Sequence, residues 1–157
     1  MTDTFTEGDA FPDFSMETPD GGTVTKADLA GSKAVIYFYP KDNTPGCTTE
    51  GQDFRDQFAA FRDAGAVIYG VSRDSLRTHA NFKAKHEFPF ELISDPEEEL
   101  CKLFDVIKLK KLYGKEYEGI ERSTFLIDAK GVLRQEWRKV KVPGHVADVL
   151  AAVQALD

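Results

Sequence analysis

Hydrophobic positions along the chain fall into short continuous runs and into stripes with helical spacing. Apolar runs over residues 34–39 and 66–71 contain β-branched side chains and are typical of strands buried on both faces. Between the runs, phenylalanines recur at the i, i+4 and i+7 positions from Phe54, which predicts an amphipathic helix over residues 48–64. These three segments predict a βαβ unit with parallel strands and a right-handed crossover.

The same two patterns continue through the rest of the chain. Ser75 is a typical helix N-cap residue ahead of the next predicted helix. Residues 105–119 are rich in lysine and have no clean period, so we expect a surface loop there. The further predicted elements are a helix over residues 75–86, a strand over 90–93, a short helix from 95–96, strands over 121–127 and 132–137 that form a hairpin, and a helix over 145–156.

Near the N-terminus, the turn signal Pro19-Asp20-Gly21-Gly22 separates apolar residues over 11–14 from residues 23–25 and predicts a small β-hairpin. The whole order is therefore hairpin, β, α, β, α, β, α, β, β, α. This order predicts an α/β fold in which helices cover both faces of a mixed central sheet, parallel in its first part and antiparallel at its end. The thioredoxin-like fold has this arrangement, with its reactive cysteine at the first helix after a central strand.

Composition and charge exclude several classes of function. The 157 residues suit one domain over residues 1–157, and no apolar run reaches the length of a membrane-spanning helix. A net charge of −7 argues against a nucleic-acid surface. The first residues lack the basic and apolar regions of a signal peptide, so we expect a cytoplasmic protein. Two cysteines in that compartment are more typical of redox chemistry than of a structural disulfide.

Cys47 lies where the first buried strand gives way to the predicted helix. Pro40 ends the strand because it has no N–H to donate, and Thr44, Pro45 and Gly46 are turn residues. Cys47 therefore lies at the N-terminus of the helix or within one residue of it. The first N–H groups of a helix have no internal partner, and the helix dipole is positive there, so both favour a thiolate. We expect Cys47 to be ionised near neutral pH.

A cytoplasmic thiolate meets three main electrophiles, which are disulfides, peroxides and acyl groups. A disulfide oxidoreductase of this fold has a Cys-x-x-Cys motif, but Glu50 follows Cys47 by three residues and Thr44 precedes it by three. Acyl transfer requires a histidine base, and we expect all three histidines on exposed helix faces. No zinc spacing and no phosphate-binding glycine loop is present, so no metal and no cofactor is predicted. The histidines are His79, His86 and His145.

Peroxide reduction suits these residues better. It requires, besides the thiolate, a hydrogen-bond donor that orients the peroxide and a cation that keeps the sulfur ionised. Thr44 offers a hydroxyl three residues before the cysteine, and Pro40 is positioned to shield the thiolate from bulk water. The candidate cations are Arg55, Arg62 and Arg122.

The segment Pro40-x-x-x-Thr44-x-x-Cys47 resembles the active-site signature of the peroxiredoxins. Residues 44–50, Thr-Pro-Gly-Cys-Thr-Thr-Glu, resemble specifically the Q-type, or bacterioferritin comigratory, branch, and the similarity extends over nearly the whole chain, including residues 8–14 and 121–128. The resemblance implies a thiol-dependent peroxidase that acts on hydrogen peroxide and small organic hydroperoxides and is a monomer. It also implies the roles of four residues: Cys47 is the peroxidatic cysteine, Thr44 orients the peroxide, Pro40 shields the sulfur and Arg122 is the cation.

The chain departs from the family pattern at the resolving cysteine. Many Q-type proteins have a second cysteine five residues after the first, where this chain has Gln52, and others have it on the following helix, where residues 81–87 contain none. The remaining thiol is Cys101, which is predicted on the inward side of a short helix and is interpreted as a packed core residue. The sequence therefore predicts a one-cysteine mechanism, in which an external thiol such as thioredoxin, glutaredoxin or glutathione reduces a sulfenic acid on Cys47.

Two other hypotheses remain open at this stage. Cys101 would act as a resolving cysteine if local unwinding brought its Cα atom to about 5–6 Å from that of Cys47. Alternatively, oxidation of Cys47 would alter a surface and signal to a partner without turnover.

A dimer formed through an exposed edge strand is an alternative to the expected monomer.

Overall fold

The computed structural model describes residues 7–156, except for the side chain of Leu112. The ends of the predicted domain, residues 1–6 and 157, lie outside the described residues. The strands are β1 (Ser15–Glu17), β2 (Thr23–Thr25), β3 (Lys33–Phe38), β4 (Ala66–Ser72), β5 (Glu91–Ser94), β6 (Ile107–Leu112), β7 (Lys115–Ile120), β8 (Ser123–Ile127) and β9 (Leu133–Trp137). The helices are α1 (Lys26–Leu29), α2 (Pro45–Asp56), α3 (Phe58–Asp63), α4 (Leu76–His86), α5 (Glu99–Leu103) and α6 (His145–Ala155).

A five-stranded sheet with the order β5-β4-β3-β8-β9 forms the centre of the molecule. Strands β3, β4 and β5 run parallel, whereas β8 pairs antiparallel with both β3 and β9. The predicted mixed sheet of a thioredoxin-like α/β fold is therefore confirmed. Because β3 is the middle strand, the loop that follows it emerges at the centre of one sheet edge.

Alternate residues of β3 pack into two hydrophobic clusters, as expected for a strand buried on both faces. Ile36 belongs to a cluster that also contains Cys101 and Phe104, and we call it the Cys101 cluster. Tyr37 belongs to the other, which contains Cys47 and receives side chains of α2, α3, α4 and α6, and we call it the Cys47 cluster. The two cysteines therefore lie on opposite faces of the central sheet.

The single helix predicted over residues 48–64 is wrong in one respect, because the structure has two helices that meet at Gln57. Gln57 has φ −103° and ψ 7°, which depart from helical values. Phe54 and Phe61, on either side of the break, still pack in the Cys47 cluster. The apolar spacing therefore does not reveal the break.

The surface loop predicted over residues 105–119 is also wrong, because β6 and β7 form a hairpin there. Six residue pairs join the strands, from Ile107 opposite Ile120 to the pair at the turn. Tyr113 and Gly114 connect the strands with φ values of 52° and 78°, as a two-residue hairpin turn of the primed type requires. Most of the hairpin is solvent-exposed on both faces, so no buried side gives the sequence a clean period.

Several element boundaries differ from the predictions. Helix α2 begins at Pro45, three residues before the predicted residue 48. The first strand of the N-terminal hairpin is Ser15–Glu17 and not residues 11–14. Helix α5 begins at Glu99 because residues 95–98 form a turn, in which Glu98 has a left-handed φ of 61°. Strand β8 begins at Ser123, so Arg122 lies in the connection before it and not inside the strand. Within residues 7–156, no helix has both the length and the apolarity needed to cross a membrane.

Candidate active site

Cys47 is the third residue of α2, directly beyond the edge of the sheet. Thr44 is the N-cap residue and has an extended conformation, and Pro45 is at the first helical position, where its missing N–H is not needed. The backbone N–H of Thr48 bonds to the carbonyl of Thr44 at 2.9 Å and closes the first turn. The Cys47 side chain is only 2% exposed. The sulfur is therefore held in the first turn of a helix and largely shielded from solvent.

The guanidinium of Arg122 contacts both Cys47 and Glu50. Its Nη2 donates to Cys47 Sγ at 3.4 Å, and its Nη1 donates to Glu50 Oε1 at 2.7 Å. A Cβ atom on Gly46 would lie 3.2 Å from Nη2, so the absence of a side chain there lets the guanidinium approach the helix. Of the three arginines proposed from the sequence, Arg122 is the one that the structure brings to the sulfur.

The other two candidate cations are engaged elsewhere. Arg55 donates to the backbone carbonyl of His86 at 3.0 Å and pairs with Asp56. Arg62 forms a long, exposed pair with Asp63 at 3.7 Å. Both therefore have partners away from Cys47.

Glu50 is a buried acid that the sequence did not single out. Burial raises its pKa to about 7, although the nearby charge of Arg122 acts in the opposite direction. Its second oxygen, Oε2, is buried without a hydrogen-bond partner among the described residues. Burial acts to lower the pKa of Arg122, but the charges of Glu50 and Cys47 outweigh that effect and raise it. The guanidinium of Arg122 thus donates hydrogen bonds to two acidic groups, Glu50 and Cys47.

Thr44 and Pro40 lie in the loop between β3 and α2. The Thr44 hydroxyl donates to the carbonyl of Lys41 at 2.8 Å, and its side chain is half-buried. Pro40 is also half-buried and comes directly after the buried Tyr39. The loop therefore carries both residues on the approach to α2, and their roles toward a peroxide stay predictions.

Asp42 anchors the middle of this loop to the core. Its Oδ1 accepts from the hydroxyl of Tyr39 at 2.6 Å, and its Oδ2 lies 2.6 Å from Nδ1 of His79. The backbone N–H of Asp42 donates to Asp74 Oδ2 at 2.9 Å. Asp42 and His79 are 3% and 0% exposed, so these contacts are removed from solvent. The exposed position predicted for His79 is therefore wrong.

The imidazole of His79 faces acceptors on both sides. Its Nε2 lies 3.0 Å from the carbonyl of Ile93, which only accepts, so this nitrogen carries a hydrogen. Ligand atoms of Asp42, His79 and Asp74 lie within 4.8 Å of one another, but both oxygens of Asp42 and both ring nitrogens already have partners. We interpret this cluster as an anchor of the loop.

Comparison with known proteins identifies the family. The model of the AhpC/TSA family matches residues 7–136. Peroxiredoxin Bcp of Bacillus subtilis is 54% identical over 150 residues, which cover 96% of each chain. A structure of the bacterioferritin comigratory protein of Xanthomonas campestris superposes with a TM-score of 0.87 at 51% identity, covering 94% of this chain and 98% of that one. A structure of a PrxQ mutant from Xylella fastidiosa gives a TM-score of 0.92 at 42% identity, covering 96% of both.

The chain belongs to the peroxiredoxins. It falls in their bacterioferritin comigratory, or Q-type, branch, and it is an enzyme, a thiol-dependent peroxidase. Its substrate is a peroxide and its reductant is a thiol. The resemblance inferred from residues 40–50 is therefore confirmed.

His145 and His86 of this peroxiredoxin also differ from the exposed positions predicted for them. His145 is 6% exposed, its Nε2 lies 2.7 Å from the hydroxyl of Thr124, and burial lowers its pKa to about 4. His86 is half-buried, and burial together with nearby cations lowers its pKa. Both rings pack at helix ends against core aromatic residues, Trp137 and Phe82.

Cys101 of this peroxiredoxin is fully buried, as predicted, at 0% exposure. Burial raises the pKa of its thiol, and the charge of Asp95 acts in the same direction. The backbone N–H of Cys101 donates to Asp95 Oδ2 at 2.9 Å, which fixes the start of α5. Both cysteines are free thiols, and they belong to the clusters on opposite faces of the sheet.

Lys110 on β6 is a half-buried cation that sequence reasoning did not single out. Its Nζ donates to the carbonyl of Ile120 at 2.6 Å. Burial lowers the pKa of Lys110, as does the nearby charge of Arg122, while the charge of Cys47 acts in the opposite direction. The sequence did not indicate the position of Lys110, because residues 105–119 were predicted to form a surface loop. The hairpin in fact gives Lys110 a fixed position on β6, and its second strand ends two residues before Arg122.

Proposed function

We propose that this peroxiredoxin reduces hydrogen peroxide and small organic hydroperoxides at Cys47 by a one-cysteine mechanism. The observation that carries the proposal is the 3.4 Å contact between Arg122 Nη2 and Cys47 Sγ in the first turn of α2. A cation and the positive end of a helix both stabilise a thiolate, which is the nucleophilic form of cysteine. The structure of the Xanthomonas campestris relative is described in terms of alkyl peroxide reduction, which supports organic hydroperoxides as substrates.

In the first step the Cys47 thiolate attacks one peroxide oxygen. An S–O bond forms while the O–O bond breaks, so the sulfur loses two electrons and becomes a sulfenic acid. The leaving oxygen takes up a proton and departs as water or an alcohol. Arg122 stabilises the negative charge that passes from sulfur to the leaving oxygen. The Thr44 hydroxyl, which has one hydrogen, gives up its bond to the carbonyl of Lys41 and donates to the bound peroxide. Pro40 keeps bulk water from the sulfur.

In the second step an external thiol restores Cys47. Its sulfur attacks the sulfenic acid, an S–S bond forms and water leaves. A second external thiol then attacks this mixed disulfide, releasing the Cys47 thiol and a disulfide of the donor, so the donor supplies both electrons. The location of Cys101 on the other face of the sheet supports an external donor. Thioredoxin, glutaredoxin and glutathione are the candidate donors.

Intact-mass analysis after one equivalent of peroxide tests the mechanism. We expect a sulfenic-acid trap such as dimedone to form an adduct at Cys47, and Cys47→Ser to consume no peroxide above background. An internal disulfide between Cys47 and Cys101 in place of the adduct would support the two-cysteine alternative. Peroxide loss that stops after one equivalent, with every donor class supplied, would instead support a redox-responsive binding module.

Two further statements about this peroxiredoxin stay predictions. We propose a monomer, which sedimentation velocity tests directly. We also propose a cytoplasmic location, which fractionation of the producing cells tests. Neither changes the chemistry at Cys47.

A further inference from the structure

The hairpin formed by β6 and β7, residues 107–120, carries an unusual surface, and we call it the basic hairpin. All three of the large hydrophobic side chains that are exposed among the described residues lie on it: Leu109 at 62%, Tyr113 at 95% and Tyr117 at 46%. Tyrosine is enriched at protein interfaces because it combines a large apolar surface with a polar tip. Tyr117 lies on the same face of the hairpin as Lys110, and Tyr113 lies at the turn, whereas Leu109 is opposite Glu118 on the other face. The two exposed tyrosines therefore indicate an interaction surface on the Lys110 face.

The charge of the basic hairpin is opposite to that of the whole protein. Residues 107–120 contain four lysines and two glutamates, whereas the chain has a net charge of −7. Lys108, Lys110 and Lys115 lie on one face of the hairpin, which has no glutamate. Lys111 lies on the other face and pairs with Glu116 at 3.6 Å. A surface of this kind is complementary to an acidic partner, because opposite charges steer association and fix orientation.

The position of the basic hairpin connects this surface to the candidate active site. Lys110 and Tyr117 are opposite each other in the hairpin register, so their side chains lie on the same face. The Nζ of Lys110 donates to the carbonyl of Ile120, two residues before Arg122, so this ammonium lies at the base of the hairpin. The base of the hairpin continues directly into Arg122 through Glu121. A partner that covers this face therefore lies beside the segment that carries Arg122, whose Nη2 contacts Cys47 Sγ at 3.4 Å.

We infer that the basic hairpin is the docking surface for an acidic protein thiol reductant of the thioredoxin class. The inference rests on the one-cysteine mechanism proposed above, in which a donor thiol must reach a sulfur that is 2% exposed. The apolar side chains favour a protein donor over a small thiol, because a small thiol has no surface large enough to cover them. Docking raises the effective concentration of the donor thiol beside Cys47.

Two hairpin variants and one matched control test the inference. The charge variant is Lys115→Glu, and the apolar variant is Tyr113→Ser/Tyr117→Ser. The control Lys130→Glu makes the same change of charge at an exposed lysine in the β8–β9 turn, at the opposite sheet edge. Each protein is assayed with hydrogen peroxide and either dithiothreitol or an acidic thioredoxin with its NADPH-dependent reductase.

We expect both hairpin variants to raise the KM for thioredoxin by about tenfold or more, with an unchanged rate on dithiothreitol. The control variant keeps the wild-type KM for thioredoxin and the wild-type rate with dithiothreitol. Added salt raises the KM for thioredoxin more in the wild type than in the charge variant. An unchanged KM for thioredoxin in both hairpin variants would overturn the inference. So would turnover with dithiothreitol but none with thioredoxin or glutaredoxin, or a wild-type dimer that the hairpin variants dissociate.

The same assays separate this inference from the proposed function. If wild-type protein fails to turn over with dithiothreitol, the proposed one-cysteine peroxidase function fails. If dithiothreitol supports turnover and only the predicted dependence on the hairpin is missing, the peroxidase function stands and the docking surface does not. Circular dichroism and thermal unfolding of each variant verify that the hairpin substitutions leave the fold intact.

Discussion

Arg122 is the residue on which the electrostatics of the site depend. Its two terminal nitrogens donate to different groups, Cys47 Sγ and Glu50 Oε1, at 3.4 Å and 2.7 Å. A guanidinium offers such donors in a fixed planar fork, whereas an ammonium is a compact point charge on a flexible stem. The planar geometry of the guanidinium, as well as its charge, therefore determines how Arg122 stabilises the Cys47 sulfur.

Replacement of Arg122 by lysine separates these two contributions. Lysine keeps the positive charge but does not reproduce both contacts, so we expect Arg122→Lys to lower kcat/KM for hydrogen peroxide by about 10- to 100-fold. Stopped-flow measurement of Cys47 oxidation with limiting peroxide gives the rate independently of the donor. Arg62→Lys, at an exposed surface pair, is the matched control and should react as the wild type does. An equal rate in Arg122→Lys would show that charge alone is sufficient.

Glu50 makes the stability of the protein depend on pH. Its pKa is raised from 4.5 to about 7 in the folded state, mainly by burial. A raised folded pKa means that stability is fully present below the unfolded pKa and is lost as pH rises through the folded value. The buried carboxyl group therefore lowers the stability of the folded protein progressively between pH 4.5 and about 7, and the full loss is present above that range.

We expect Glu50→Gln to remove this loss. Relative to the wild type, its free energy of unfolding should rise between pH 4.5 and about 7 and then level off, with a total change of about 3 kcal/mol. Urea unfolding at a series of pH values measures the difference. Glu99→Gln, an exposed acid in the first turn of α5, should show no such change. A pH-independent difference for Glu50→Gln would contradict the assigned pKa shift.

At the scale of elements, the loop between β3 and α2 is held by a contact to a helix that comes later in the chain. Asp42 lies between Pro40 and Thr44, and its partner His79 is on α4, 37 residues further along. The pair is fully buried and also bonds to Tyr39 and to the carbonyl of Ile93. The approach to Cys47 is therefore shaped by α4 as well as by its own flanking elements.

Removal of His79 should loosen this loop. His79→Leu leaves Asp42 buried without its partner, and we expect a loss of stability of about 3–5 kcal/mol together with slower oxidation of Cys47. His79→Gln retains a hydrogen-bond donor and should recover part of both losses. Urea unfolding and stopped-flow oxidation measure the two effects, and His86→Leu on the same helix is the control. A loss of stability with unchanged oxidation kinetics would limit the role of His79 to the fold.

The elements that could be predicted from the sequence are those whose signals are local. The apolar run before Pro40 and the turn residues 44–46 were enough to place Cys47 at a helix N-terminus, since strand ends and helix starts depend on neighbouring residues. Glu50 was not recognised, because its burial depends on Arg122, 72 residues away. The basic hairpin was missed because neither of its faces is wholly buried, and Tyr113-Gly114 is a less familiar turn pair than Asn-Gly.

At the scale of the whole molecule, the central sheet separates the two thiols. Cys47 and Cys101 belong to clusters on opposite faces of β3, and Cys101 is packed with Phe104 in the core. A disulfide needs Cα atoms about 4.4–6.8 Å apart, so a bridge would require the sheet or its helices to rearrange. This separation is the global feature that favours an external donor.

We therefore expect Cys101 to be dispensable for catalysis and needed for packing. Cys101→Ala should keep peroxidase activity with a thiol donor within about twofold of the wild type. Cys101→Ser buries a hydroxyl in apolar surroundings and should lower stability by about 1–3 kcal/mol. Steady-state assays and thermal unfolding measure the two effects. Loss of activity in a folded Cys101→Ala protein would contradict the one-cysteine mechanism.

The separation of the thiols also determines how long oxidised Cys47 persists. In the proposed one-cysteine mechanism, the sulfenic acid has no resolving thiol on its own face of the sheet and survives until a donor arrives. During that interval a second peroxide molecule competes with the donor and oxidises the sulfur to the sulfinic acid, from which thiols do not recover it. The ratio of donor to peroxide then sets the number of turnovers before inactivation. The number of turnovers that the enzyme completes therefore depends on the concentration of thiol donor available to it.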